Sequence, residues 1–293
     1  MLDIVLCICF SAALVIVFKL VERYGANLFP VIVVNYLAAS IASMAFGGAA
    51  TTMHLDSTLL MPAMLLGLLF IFVFTAVGLS VQQSGITVTA IAQKMSLAIP
   101  IAAAFYLYGD KITVLKLIGI GLALVAIVLT TRKDQPTDNT NKGKNLTAIL
   151  LPILVFVGSG FCDTGINYSQ RIYLQGVPYA GFIALLFGTA FFAGLLFLLF
   201  KRFRQDYKLG WKELGWGVAL GLPNYFSLYF MIRSLEFSGM ESSLVYPILN
   251  IGTVSAATVT AFFVFKEKLS LINVIGLIMA LAAIVVLSIG GGQ

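Results

Sequence analysis

Apolar and polar residues alternate along the chain in long blocks, and ten of the apolar blocks are long enough to cross a lipid bilayer as helices. A transmembrane helix needs about 20 predominantly apolar residues to span the hydrocarbon layer. Lipid offers the backbone no hydrogen-bond partners, so each segment must pair its own N–H and C=O groups, which predicts helices and not isolated strands. The predicted spans are residues 2–18, 30–47, 59–80, 84–107, 113–131, 147–169, 178–200, 212–233, 240–265 and 270–290.

One hydrophilic segment interrupts the pattern near the middle of the chain. Residues 131–145 read TRKDQPTDNTNKGKN, and the proline, glycine and mixed charges are typical of a flexible linker. We therefore predict a first five-helix half over residues 1–131, a polar linker over 132–146 and a second five-helix half over 147–293. Because five is odd, the second half enters the membrane in the opposite sense, and the halves are predicted to be inverted repeats.

The two predicted halves also resemble each other in sequence. Residues 84–111 and residues 238–268 both begin with Ser-Gly, continue as an apolar span and end in an acidic residue followed by lysine. The next span matches as well, with Gly119 equivalent to Gly276. An internal repeat in an apolar chain is typical of transporters built from two related halves.

The composition agrees with a membrane protein. Hydrophobic residues make up 60% of the chain and charged residues 10%, whereas soluble domains carry about 25% charged residues. The net charge of +6 is distributed between apolar spans, so it does not indicate nucleic-acid binding. Cys7, Cys9 and Cys162 lie in apolar runs and are interpreted as small apolar fillers. His54 is the single histidine, and we predict neither a metal site nor a cofactor.

Basic residues cluster in the loops that follow the odd-numbered spans, and the loop over residues 48–58 contains none. The positive-inside rule then places the odd-numbered loops in the cytoplasm and both termini outside it. Asp3 and the lack of a basic residue before the first span predict that this span is not a cleavable signal peptide. We therefore predict a multi-pass protein of the cell (inner) membrane.

Each repeated apolar span ends in a short charged turn before a glycine-containing span. The turns read Gly109-Asp110-Lys111 and Lys266-Glu267-Lys268. With ten spans in two halves, the whole chain resembles the EamA type of the drug/metabolite transporter superfamily, whose turns carry a Gly-Glu-like motif. The resemblance implies a cavity formed by spans one to four and six to nine, with spans five and ten at the periphery. It also implies cytoplasmic termini, whereas the basic residues of this chain favour the opposite orientation.

Lys94 lies near the middle of the fourth predicted span, where a lysine costs about 3 kcal/mol on insertion scales. We interpret it as a contact for an anionic substrate group or a moving carboxylate; alternatively, it reaches the headgroups from a helix end. A polar stripe beside Lys94 has a counterpart 157 positions later in the chain. The two helices are therefore expected to face each other across a central cavity. Alternatively, the polar side chains form interhelical hydrogen bonds that serve only to pack the helices. The stripe comprises Thr89, Gln93, Ser96 and Pro100, and its counterpart Tyr246, Asn250, Thr253 and Ala257.

Asp163 is an acidic residue well inside the sixth predicted span. A carboxyl group in this position is predicted to bind a coupling proton or a cationic substrate group. The alternative is a structural ion pair with Lys94 or Arg171. Helical spacing places three further polar residues on the same face: Ser159, Asn167 and Gln170.

The other candidate residues lie on the second, third and eighth spans. Tyr225 and Tyr229 are one turn apart, which suits either a pocket wall or anchoring at the membrane interface. Arg233 and Glu236 are expected to pair at the surface. The complete predicted substrate-binding set is Asn35, Gln83, Gln93, Lys94, Asp163, Asn167, Asn224, Tyr225, Tyr229, Tyr246 and Asn250.

These features favour a secondary transporter that moves a small polar metabolite by alternating access, coupled to protons through Asp163. A Walker motif, HExxH and GxSxG are absent from the sequence, so we do not expect an enzyme or an ATP-driven pump. The alternatives are a lipid-linked metabolite flippase and an intramembrane enzyme. The expected partners are a small-molecule substrate and the lipid bilayer, without nucleic acid, and the sequence leaves monomer and homodimer open.

Overall fold

The structure is a computed structural model that describes residues 2–47, 57–84, 86–110, 112–131, 146–202, 210–265 and 270–290. These residues form eleven α-helices, and none of them is in a β-strand, which confirms the all-α class. The helices are α1 (Leu2–Arg23), α2 (Leu28–Gly47), α3 (Ser57–Ser84), α4 (Ile86–Met95), α5 (Ala98–Tyr108), α6 (Val114–Thr131), α7 (Leu146–Tyr173), α8 (Tyr179–Arg202), α9 (Trp211–Phe237), α10 (Ser242–Phe265) and α11 (Leu271–Gly290). The predicted linker, apart from Leu146, and the second charged turn lie outside the described residues.

Six of these helices are long and apolar enough to cross a membrane, which identifies a membrane protein. Two shorter apolar helices lie at Val114–Leu129 and Leu271–Leu287. Helix α9 has 27 residues and is long enough to cross a membrane. It is not one of the six, because glycines, tyrosines and Asn224 lower the hydropathy of its central part. The six segments are Leu2–Val21, Leu28–Gly47, Thr58–Val77, Leu150–Tyr173, Tyr179–Phe200 and Ser242–Val264.

The fourth predicted span is two helices and not one, which corrects the continuous helix predicted over residues 84–107. Helix α4 ends at Met95, and α5 begins at Ala98. Pro100 lies in the first turn of α5, where a proline has no intrahelical N–H bond to lose. In a continuous helix its ring would clash with the carbonyl of Ser96, so the chain breaks just before it.

The chain divides into two compact units, each of which takes helices from both sequence halves. The first unit comprises Met1–Thr75 and Gly165–Ser238. In it α2 packs against α8 and α9, and α1 packs against α9. Gly217 and Gly221 allow α9 to approach α2 closely, because a Cβ atom at position 217 would lie 2.4 Å from the Val34 Cβ.

The second unit comprises Ala76–Thr164 and Gly239–Gln293. Its most extensive helix contact is between α6 and α11, where a Cβ atom at Gly119 would lie 2.7 Å from a Leu287 methyl group. Asn273 joins the same two helices by donating a 3.1 Å hydrogen bond to the Leu129 carbonyl. Helix α10 packs against α5, α6 and α11, and α4 packs against α6.

Within each unit, helices that the sequence repeat makes equivalent pack against each other. Spans two and seven correspond to α2 and α8, which are in contact in the first unit. In the second unit, α5, which is part of span four, contacts α10, which corresponds to span nine. Likewise α6, which corresponds to span five, contacts α11, which corresponds to span ten.

Candidate functional site

Four of the predicted site residues come together in the second unit, and we call them the Lys94 cluster: Lys94, Asp163, Tyr246 and Asn250. The Lys94 Nζ donates to Asn250 Oδ1 over 3.5 Å, and the Asn250 Nδ2 donates to the Tyr246 carbonyl over 3.1 Å. The Tyr246 hydroxyl donates to the backbone carbonyl of Asp163 over 2.6 Å. These contacts connect α4, α10 and α7. Asn250 belongs to the second polar stripe and Lys94 lies beside the first, so this contact brings the neighbourhood of the first stripe to the second stripe.

The position of Lys94 follows from the break between α4 and α5. Lys94 lies in the last turn of α4. The final carbonyl groups of a helix lack intrahelical partners and carry partial negative charge, which favours a lysine there. The Ser96 hydroxyl satisfies one of them by donating to the Gln93 carbonyl over 2.6 Å. The lysine is half-buried and bonded to Asn250, so it contacts protein rather than reaching a headgroup.

Lys94 and Asp163 are the two charged residues of the Lys94 cluster. Their side chains interact electrostatically, and both are half-buried. Residues 76–109, 146–170 and 242–265 contain no other Asp, Glu, Lys or Arg. An isolated charge in a low-dielectric interior costs several kcal/mol, so each group lowers the cost of burying the other.

A second polar contact lies in the first unit, between α2 and α9. The Asn224 Nδ2 donates to Asn35 Oδ1 over 3.1 Å, and the two residues are 9% and 1% exposed. The Nδ2 of Asn35 has no hydrogen-bond partner among the described residues. A buried amide donor without a partner costs about 1–3 kcal/mol, so Asn35 is a suitable contact for a polar ligand or a water molecule.

The predicted tyrosines of α9 have different environments. Tyr225 is 2% exposed and stacks on Phe46 with a ring-centroid distance of 6.0 Å. Tyr229 is half-buried, and its ring lies 6.0 Å from that of Tyr179. The buried position of Tyr225 favours a packing role, whereas Tyr229 remains available as part of a pocket wall.

Arg233 does not make the predicted pair with Glu236. Its Nε donates to Asp3 Oδ1 over 2.9 Å, and its Nη1 donates to the Tyr229 hydroxyl over 3.4 Å. Glu236 accepts a hydrogen bond from the Tyr179 hydroxyl instead. The sequence reasoning missed these contributions of Asp3 and Tyr179, although an acidic residue at the start of an apolar helix was a signal for a partner.

The remaining predicted residues are not among the four members of the Lys94 cluster. Gln93 is half-buried on α4, and Asn167 is 1% exposed on the part of α7 that belongs to the first unit. The side chain of Gln83 lies outside the described part of the chain. Ser159, one turn before Asp163, is buried, and its hydroxyl has no hydrogen-bond partner among the described residues.

The described residues contain no group of three or more histidine, cysteine, aspartate or glutamate side chains that could hold a metal ion. Cys7, Cys9 and Cys162 are not in disulfide bonds. Cys7 and Cys162 are buried, as expected for small apolar fillers, whereas Cys9 is exposed on α1.

Comparison with known proteins gives a fold and one relative. No protein-family model matches the chain. An uncharacterized protein from Haemophilus influenzae is 28% identical over 288 residues, which cover 96% of each chain. A protein of known crystal structure superposes with a TM-score of 0.76 over 99% of this chain and 96% of its own, at 12% identity. At that identity the likeness shows a shared fold and no more.

Proposed function

We propose that the protein is a secondary transporter that moves a small polar metabolite across the cytoplasmic membrane by alternating access. The observation that carries the proposal is the Lys94 cluster, in which a lysine beside a helix break bonds Asn250 and interacts electrostatically with Asp163, inside apolar helices. Broken helices and intramembrane ionisable residues mark substrate and ion sites in transporters, because both are costly unless they serve binding.

The proposed architecture is ten spans in two inverted five-helix repeats, as in EamA-type transporters. The contacts of α2 with α8, α5 with α10 and α6 with α11 support the repeat. Ten spans also require α4 and α5 to cross the membrane together as one broken span. We propose that both termini are outside the cytoplasm, because the basic residues follow the odd-numbered spans.

Within the cluster we assign separate roles to the two charged residues. Lys94 and Asn250 bind a polar or anionic group of the cargo, since an ammonium and an amide are both hydrogen-bond donors. Asp163 takes up the coupling proton, because a carboxylate in a low-dielectric site gains a proton readily when its counter-charge is engaged elsewhere. Within the first unit, Asn35 and Asn224 are proposed as polar contacts in their own right.

The test is counterflow in proteoliposomes with the full-length protein. Vesicles are loaded with a ligand that raises the melting temperature of the purified protein, and uptake of the radiolabelled ligand is measured. We expect trans-stimulation that Lys94→Met abolishes and that Lys212→Met, at an exposed lysine, leaves intact. A ligand that is chemically changed would favour an intramembrane enzyme, and transfer of a lipid-linked ligand between leaflets would favour a flippase.

A further inference from the structure

We infer that the Lys94 cluster takes a monoanionic cargo together with one proton, so that both the empty and the loaded site are electrically neutral. This inference rests on the proposed transport function and adds the chemical class of the cargo and the proton stoichiometry. The inference follows from the number of charged residues in the helices that form the cluster and from the contacts that these residues make.

The empty site contains one positive and one negative charge. Lys94 and Asp163 are the charged residues in residues 76–109, 146–170 and 242–265, which include α4, α5 and α10 and the part of α7 within the second unit. Their sum is zero, and neutrality matters because a net charge in a low-dielectric interior costs several kcal/mol. A cargo that adds one negative charge therefore requires a compensating positive charge.

The compensating charge is a proton on Asp163. In the loaded site the cargo carboxylate faces the Lys94 ammonium, and a proton from water forms an O–H bond with the Asp163 carboxylate. The charges are then +1 on Lys94, zero on Asp163 and −1 on the cargo. A neutral or zwitterionic cargo would leave the original pair unchanged and couple to no proton, and a cationic cargo would add an uncompensated positive charge.

The contacts in the cluster suit such an exchange. The 3.5 Å separation between the Lys94 Nζ and Asn250 Oδ1 is at the outer limit for a hydrogen bond, so an anion can replace it at little cost. Among the described residues, the titratable groups that lie near Asp163 are Lys94 on α4, Tyr246 on α10 and Cys162 on α7 itself. The Tyr246 hydroxyl is bonded to the backbone carbonyl and not to the carboxyl group, so it leaves the Asp163 side chain to change its protonation state.

The buried Ser159 hydroxyl provides an independent observation beside Asp163. Ser159 precedes Asp163 by one helical turn, on the same face of α7, and is 8% exposed. Its hydroxyl has no partner among the described residues. A buried hydroxyl without a partner is costly, and a bound carboxylate or its water would satisfy it.

The experiment uses purified full-length protein and four probe sets that differ in charge: small monocarboxylates, zwitterionic amino acids, primary amines and uncharged polyols. Thermal shift identifies the sets that bind, and calorimetry in buffers of different ionisation enthalpy counts the protons taken up. We expect melting shifts with monocarboxylates alone and about one proton taken up for each ligand bound. The apparent Kd should rise about tenfold per pH unit where Asp163 is ionised in the empty site.

Asp163→Asn removes the proton acceptor and keeps the shape, so monocarboxylates should bind it with no proton uptake and a flat pH dependence. Thr164→Val is the matched control, because the Thr164 hydroxyl donates a hydrogen bond within its own helix, to the Gly160 carbonyl over 2.7 Å. Proton uptake should persist in this variant. Binding of an amine, a zwitterion or a polyol overturns the inference. So does the absence of any monocarboxylate hit, or monocarboxylate binding without proton uptake by the unmutated protein.

Failure of this inference and failure of the transport function give different results. Counterflow of a zwitterion or a polyol would keep the transporter and refute the monoanion. Monocarboxylate binding with one proton, but without counterflow, would keep the chemistry of the site and refute transport. If both hold, uptake should also be insensitive to an imposed potassium diffusion potential, because no net charge moves with the loaded or the empty carrier.

Discussion

The charge pair of Lys94 and Asp163 can be tested by its contribution to stability, independently of any substrate. Replacing Lys94 with methionine keeps an unbranched side chain, one atom shorter, but leaves the Asp163 carboxylate without its counter-charge. Removing one member of a buried pair costs about 3–5 kcal/mol. Both side chains are half-buried, so we take the lower end, about 3 kcal/mol, for Lys94→Met. The bond to Asn250, at 3.5 Å, adds little to this value.

The reciprocal change, Asp163→Asn, leaves Lys94 without its carboxylate but retains a polar side chain, so we expect a loss of about 2 kcal/mol. The double variant contains neither charge, and removing both members of a pair is far less costly than removing one. We expect the double variant to lose about 2–3 kcal/mol instead of the additive sum of about 5 kcal/mol. The coupling free energy between the two residues is then about 2–3 kcal/mol.

The assay is equilibrium unfolding of the purified protein in detergent, with reversibility checked for each variant. A control cycle combines Asp163→Asn with Lys116→Met, because Lys116 pairs with Glu241 over 2.5 Å, outside the Lys94 cluster. That cycle should be additive within about 0.5 kcal/mol. If Lys94→Met and Asp163→Asn are equally additive, the two side chains do not interact, and the charge-balance reasoning fails.

Three further predictions concern packing, a surface ion pair and topology. Gly221→Leu should destabilise the protein by about 1–3 kcal/mol, because the new Cβ atom would lie 2.5 Å from the Ala38 Cβ. Gly215→Leu is the control and should not destabilise the protein, because a Cβ atom there meets open space. Equal melting temperatures for the two variants would contradict the close contact at Gly221. Asp3→Asn should lower the free energy of unfolding by about 1 kcal/mol or less, because the Arg233 side chain is 38% exposed and solvent screens its ion pair with Asp3. A loss of several kcal/mol would refute this prediction. A reporter fused to the C-terminus should be active outside the cytoplasm, and cytoplasmic activity would reverse the proposed orientation.

Local chemistry was enough to predict most of the helices and their approximate ends, but not the two helices that form the fourth span. The apolar block over residues 30–47 became α2 (Leu28–Gly47), and the block over 270–290 became α11 (Leu271–Gly290). Long apolar segments allow no other way to satisfy the backbone in lipid, so their pattern determines their secondary structure. The break before Pro100 was also encoded locally, but the length of the apolar block over residues 84–107 concealed it.

Partner choice was less predictable, as Arg233 illustrates. Along the sequence Glu236 is the nearest suitable acid, yet Asp3 on another helix accepts the hydrogen bond. Tyr225 and Tyr229 have the same spacing as two pocket-lining residues, but one is buried against Phe46 and the other is half-buried. Periodicity identifies the residues that share a helix face, whereas the packing of neighbouring helices decides what that face contacts.

The sequence by itself therefore determined that the chain is an all-α membrane protein, and it singled out Lys94 and Asp163 as charged residues inside predicted spans. Those conclusions depend on hydrophobicity and backbone hydrogen bonding, which are properties of each segment alone. The tertiary structure decided that Lys94, Asn250, Tyr246 and Asp163 meet, because three helices far apart in sequence bring them together. It also grouped the helices into two units that each combine parts of both sequence halves, because close packing depends on complementary surfaces and not on the order of the chain.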